Sequence, residues 1–132
     1  MRYLLDTNIC VYIINKRPEK VFTRFRKCGV GEVGISAITF SELRYGVSRS
    51  SRPDRNQAAL NQFLGPLEIL DFYAEVAPIY GEIRAALQAS GRVIGPLDML
   101  IGAHALFLNC TLVTNNEREF CRIPELRVEN WA

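Results

Sequence analysis

The sequence predicts an α/β fold, a central parallel sheet of about four to five strands with helices on both faces. Two observations lead there. Short apolar runs alternate along the chain with longer segments whose apolar residues recur at helical spacing. Gly or Pro punctuates most of the boundaries between them.

Arg2–Leu5 is a short apolar run that ends at Asp6 and reads as a buried strand. Asn8–Asn15 follows as a helix, stopped before Pro18. Glu19–Lys27 is a second helix, with Val21, Phe22 and Phe25 at helical spacing, and Gly29–Gly31 breaks it. Val33–Ser36 is a strand and Ala37–Val47 the helix after it. Ser48–Asp54 is polar and turn-like. A helix through Gln57–Leu64 carries Leu60, Phe63 and Leu64 as its apolar stripe and stops at Gly65 and Pro66. Leu67–Leu70 is a strand, and Ala74–Ala89 a longer helix ending near Gly91. Gly95 and Pro96 open a helix through Leu108, with proline in a favourable first-turn position. Thr111–Thr114 is a strand, Asn115–Phe120 a turn and short helix, and Leu126–Val128 a last short strand. No repeat, low-complexity tract or linker interrupts this series, so residues 1–132 are expected to form one domain.

Composition excludes several classes. No apolar run approaches the ~20 residues of a membrane span, and the chain opens on MRYLLDTN without a signal-peptide layout. A cytoplasmic protein is expected. The four cysteines, Cys10, Cys28, Cys110 and Cys121, form no CxxC pair and have no histidine at ligand spacing, which argues for free thiols rather than zinc. Residues 1–60 carry eleven Lys and Arg against five Asp and Glu, whereas residues 61–132 carry five against nine. That asymmetry suits a phosphate-rich partner.

The acidic residues stand out because ligand sites in parallel sheets form at the carboxyl ends of the strands. Asp6 ends the first strand; taken alone it is a good helix N-cap. Glu42 lies one turn into the helix after the second strand, where Thr39 and Glu42 have capping-box spacing. Asp98 sits in the first turn of GPLDMLIGAHAL, favourable for the helix dipole, yet among residues that suggest burial. Asn116 follows the Thr111–Thr114 strand, and Glu119 lies a turn further on. Strand ends such as Asp6 and Asn116 and helix starts such as Glu42 and Asp98 can converge on one sheet edge, where several carboxylates repel one another unless a cation lies between them. Oxygen ligands without His or Cys suit Mg²⁺, or Mn²⁺ as a substitute.

LLDTN, ITFSEL, GPLDMLIGAHA and VTNNEREF, in this order, resemble the PIN-domain nucleases. More narrowly they resemble the VapC toxins of bacterial toxin–antitoxin pairs, from Arg2 to Trp131. The resemblance implies a PIN-like fold, an Mg²⁺-dependent endoribonuclease, and Asp6, Glu42 and Asp98 as the three core acids that bind the metal. Asn116 and Glu119 are further catalytic candidates: many PIN domains have Asp where Asn116 stands, and Glu119 could restore the acidity. Similarity to the group with a VENW-like tail implies initiator tRNA, cut in its anticodon loop. A homodimer and a VapB-type antitoxin are the partners implied. The antitoxin's apolar helix is expected between the first helices, on some of Tyr12, Ile13, Phe22, Phe25 and Tyr45, with an arginine reaching the acids.

Other readings weigh less. A non-catalytic RNA- or protein-binding PIN domain is kept in play by Asn116. A phospho-acceptor signalling module would need a second acid beside Asp6 and a late lysine, but Leu5 and Thr7 flank Asp6 and no lysine follows Lys27. His104, the only histidine, lies off the Asp98 helix face and suits packing or surface better than base catalysis. Thr7 and Asn8 suit capping or phosphate contact. Thr114 is a candidate for orienting Asn116 or touching phosphate. Arg84, Arg92 and Arg118 are RNA contacts or solvated surface.

Overall fold

A computed structural model describes residues 1–132. Five parallel strands form one sheet in the order β3-β2-β1-β4-β5, from β1 (Tyr3–Leu5), β2 (Val33–Ser36), β3 (Glu68–Leu70), β4 (Thr111–Val113) and β5 (Val128–Glu129). The helices are α1 (Thr7–Asn15), α2 (Glu19–Arg26), α3 (Ala37–Ser48), α4 (Pro53–Leu64), α5 (Val76–Ala89), α6 (Pro96–Leu108) and α7 (Glu117–Phe120).

The central strand β1 is buried along its whole length, so its residues alternate between two apolar cores. Tyr3 and Leu5 join Ile9, Ile13, Val21, Leu43 and Leu60, from α1–α4, on one face. Leu4 joins Val76, Ile83, Leu87, Met99 and Ile101, from α5 and α6, on the other. Leu4 and Leu5 are wholly excluded from solvent, and each such burial stabilises by about 1.5–3 kcal/mol. Gly34 lies in β2 between β1 and β3. A Cβ there would strike the Met1 and Leu70 side chains and the Glu68 carbonyl, so the close strand approach requires glycine.

Most boundaries lie within two residues of expectation, and two of the differences have a local cause. Helix α4 starts at Pro53, not within the Gln57 region, because Pro53 takes its first position and Asp54 its first turn. These residues resemble a turn in sequence but also favour a helix start. Strand β5 pairs through Val128 and Glu129 rather than Leu126–Val128. The αL conformation of Glu125, φ 67°, sets the chain direction just before it.

The strand order reverses direction about β1. Strands β2 and β3 lie to one side and β4 and β5 to the other. The carboxyl ends of β1 and β4 therefore flank a switch point, the expected place for a site in such a sheet.

Candidate active site

Asp6 is the residue after β1 and the N-cap of α1, and its Oδ1 accepts from the Thr7 backbone N–H at 2.8 Å. The capping role considered from sequence is therefore real, but it uses only one carboxylate oxygen. The other, Oδ2, accepts from the Thr114 hydroxyl at 2.8 Å. Asp6 is only 4% exposed, and burial is the main cause that raises its pKa. The two hydrogen bonds oppose that rise and the charge of Glu42 adds to it.

Thr114 follows β4 and is fully buried. While donating to Asp6, its hydroxyl accepts from the Asn116 backbone N–H at 2.9 Å. Of the two roles considered for Thr114, orienting Asn116 or touching phosphate, this contact fits the first; its hold on Asp6 was not foreseen. Asn116 Nδ2 donates to Glu119 Oε2 at 3.1 Å, which ties the two candidate fourth-corner residues together.

Glu42 is half-buried on α3, and its Oε1 accepts from the Thr7 hydroxyl at 2.7 Å. The capping-box role fails for a local reason. Ser36, not Thr39, is the N-cap of α3, and its Oγ accepts from the Ile38 N–H at 3.1 Å. Glu42 thus points its carboxylate at α1.

Asp98 lies in the first turn of α6. Its pKa rises to about 6, first through burial and then through the negative fields of Asp6, Glu119 and Glu42. The structure therefore brings Asp6, Glu42, Asp98 and Glu119 into one electrostatic neighbourhood. Asn116 joins it through Glu119.

His104 is wholly buried on α6, with Nδ1 2.8 Å from the Ser36 Oγ and its ring edge-on to Phe72. Burial lowers its pKa, partly offset by the Asp71 backbone. It packs α6 against the start of α3 and stays outside the acid set. Arg84, Arg92 and Arg118 are exposed, and Arg84 donates to the Tyr80 hydroxyl.

The available donors are carboxylates, an amide and hydroxyls. This hard-oxygen chemistry fits a divalent cation such as Mg²⁺ or Mn²⁺ and offers nothing to a thiophilic metal. No three His, Cys, Asp or Glu side chains are already gathered as a ligand cage.

A groove of about 820 Å³ opens from Thr7 and Glu42 and runs between α1, α3 and α4. Val11, Ile14, Leu43 and Leu60 contribute apolar walls, with Tyr45 and Arg49 on the α3 side. Of the five groove residues expected from sequence, only Tyr45 lines it. Ile13 is 3% exposed and belongs to the core. Phe22 and Phe25 pack against that core from α2, and the Tyr12 hydroxyl accepts from Asn115 Nδ2 at 2.9 Å. Helical spacing identified apolar faces but not which helices would frame an opening.

No helix is long and apolar enough to cross a membrane. The family model described as PIN domain matches residues 3–126. Ribonuclease VapC2 of Rickettsia felis is 48% identical over 132 residues, spanning 99% of this chain and 98% of that protein. The tRNA(fMet)-specific endonuclease VapC of Shigella flexneri is 41% identical over 132 residues, spanning 100% and 99%. Among solved structures, VapBC2 from Rickettsia felis, bound to a DNA fragment from its promoter, matches with a TM-score of 0.92. That match has 47% sequence identity and covers the whole of both chains.

Proposed function

This chain belongs to the PIN-domain family, and from that premise we propose that it is the toxin of a VapBC-type toxin–antitoxin pair, acting as a metal-dependent endoribonuclease. One observation carries the catalytic part: Thr7 and Thr114 hold the buried carboxylate of Asp6, and Thr7 also holds that of Glu42, at an edge where their charges, with that of Glu119, bear on Asp98. Like charges crowd together where a cation is to be held.

Asp6, Glu42 and Asp98 would hold the ion, with Mg²⁺ the natural occupant and Mn²⁺ a substitute. Bound there, a divalent cation supplies a lowered pKa for the attacking water and charge stabilisation on the phosphate. The chain's own residues do the rest. Thr114 and Thr7 fix the two oxygens of Asp6. Thr7 also fixes Glu42, so one residue orients two acids. Asn116 and Glu119 complete the edge, offering a neutral amide oxygen and a further carboxylate.

The named activity of the Shigella relative, a tRNA(fMet)-specific endonuclease, supports initiator tRNA as the substrate, and we place the cut in its anticodon loop. The VapBC complex among the structural neighbours supports a VapB-type antitoxin as partner. We place its apolar segment on the floor of the α1–α3–α4 groove, with a basic side chain reaching the carboxylates. A homodimer would set two such sites beside a shared basic surface. The deciding experiment is incubation of the purified chain with total RNA and Mg²⁺, followed by sequencing of the cut ends. Discrete cuts in initiator tRNA are expected; intact RNA would refute the nuclease reading.

A further inference from the structure

We propose that Tyr45 and Arg49 form a stacking platform for an unpaired base of the RNA substrate, beside the bond that is cut. The inference rests on the nuclease reading above and adds where the substrate is gripped.

Glu42 and Tyr45 of α3 and Arg49, its C-cap in αR backbone, are spaced by three and four residues, so they fall on one helical face. All three line the same groove. That stripe presents, in order, an acid of the catalytic edge, an aromatic ring and a cation. Tyr45 stands one helical turn from Glu42, about 5 Å along the axis. A nucleotide whose phosphate lies at the acids can place its neighbouring base there.

The ring is free to receive it. Tyr45 is 68% exposed, although the other tyrosine of this region, Tyr12, is partly packed against the core. The Arg49 guanidinium lies 5.7 Å from the Tyr45 ring centroid and can cover one ring face while the other stays open. Charge selects the occupant. Arg44, Arg49, Arg52 and Arg55 are all exposed between Leu43 and Asn56, where Asp54 is the single acid. A polyanion with flat apolar rings matches this surface, and single-stranded RNA is that ligand. A duplex keeps its bases stacked inside and cannot offer one.

An ordinary helix-surface pair would tolerate replacement of the ring by any side chain of similar apolar area. A stacking platform would not, and the two are separated by comparing Tyr45→Phe with Tyr45→Leu and Tyr45→Ala. The probe is a short unstructured RNA doped with 2-aminopurine, titrated in EDTA so that it is bound but not cut. Wild type and Tyr45→Phe are expected to quench its fluorescence. Tyr45→Leu and Tyr45→Ala should lose the quench and weaken Kd by roughly 5- to 150-fold, the range for one lost base–aromatic contact. Arg49→Ala should weaken Kd and flatten its salt dependence. With Mg²⁺ and total tRNA, kcat/KM of the Leu and Ala variants should fall by a comparable factor. Unchanged quenching, Kd and cleavage in both, with an active wild type, overturns the platform alone. A wild-type chain that neither binds nor cuts RNA removes the nuclease reading and this inference together. Loss of antitoxin binding in Tyr45→Ala, with RNA binding and cleavage intact, would assign the rim to the protein partner and overturn the platform.

Discussion

The hydroxyl of Thr114 donates a 2.8 Å hydrogen bond to Oδ2 of Asp6, joining the carboxyl ends of β1 and β4 inside the protein. A hydrogen bond to a charged group contributes about 1.5–3 kcal/mol, and a buried carboxylate left short of donors loses more than a solvated one. Thr114→Val keeps the shape and removes the donor. It is expected to lower RNA cleavage roughly 10- to 100-fold, taking the same energy range. Thr114→Ser should recover most of the rate, measured on the same RNA at fixed Mg²⁺.

Asp6→Asn and Asp98→Asn should each abolish cleavage while circular dichroism stays that of the wild type. Excess EDTA should do the same to the unaltered chain, and added Mg²⁺ or Mn²⁺ should restore it. Full activity in EDTA would exclude the metal-dependent reading.

Asp98 also predicts a pH dependence of stability without metal. Its folded pKa of about 6 lies above the ordinary aspartate value of 3.8, so between these values the folded state binds more protons than the unfolded state. Unfolding free energy therefore falls as pH rises through this window, and the loss is complete above about 6. Asp98→Asn should raise the metal-free Tm above pH 6 and leave it near wild type at pH 4. Partial solvent access limits the gain to about 1–2 kcal/mol. Divalent-ion affinity should fall in the same acid range as protons compete for the carboxylate. A metal-free Tm in Asp98→Asn equal to wild type across pH 4–8 would contradict the crowding of charge at this edge.

Asn116 and Glu119 hold one another through a 3.1 Å hydrogen bond. Asn116→Ala removes a neutral group and should cost less activity than Asp98→Ala. Glu119→Gln keeps the shape but removes a charge from the field around Asp98, and should lower activity measurably. If both variants cut RNA at the wild-type rate, neither residue contributes to the site.

That Asp6, Glu42 and Asp98 share one edge was legible because each is a carboxylate at a strand end or in the early part of a helix, a position that follows from local sequence. Their tethers were not. Thr7 meets Glu42 across 35 residues and Thr114 meets Asp6 across 108, distances over which spacing carries no information. The helix start at Ala37 was legible, and the alternative of a Thr39–Glu42 capping box falls because Ser36, in extended backbone, is the N-cap of α3. Helical spacing marked the apolar faces of α1 and α2, but those faces turn largely to the core rather than to a groove. The groove was placed on the wrong walls because its far side, Ala59 and Leu60 of α4, lies more than 40 residues from α1, and spacing does not show which helices pack side by side.

The middle position of β1 has a consequence for how the protein is made. Its strand is synthesised first, yet one of its two neighbours, β4, ends at Val113, and Thr114 follows that strand. Asp6 therefore waits for almost the entire chain before it gains its second hydrogen bond, and Asp98 and Glu119 also arrive late. Such long-range closure is slow in folding terms. On the nuclease reading, a nascent chain still lacking β4 has no assembled site with which to cut the RNA around it, and a cell gains the interval of synthesis in which to have the antitoxin ready.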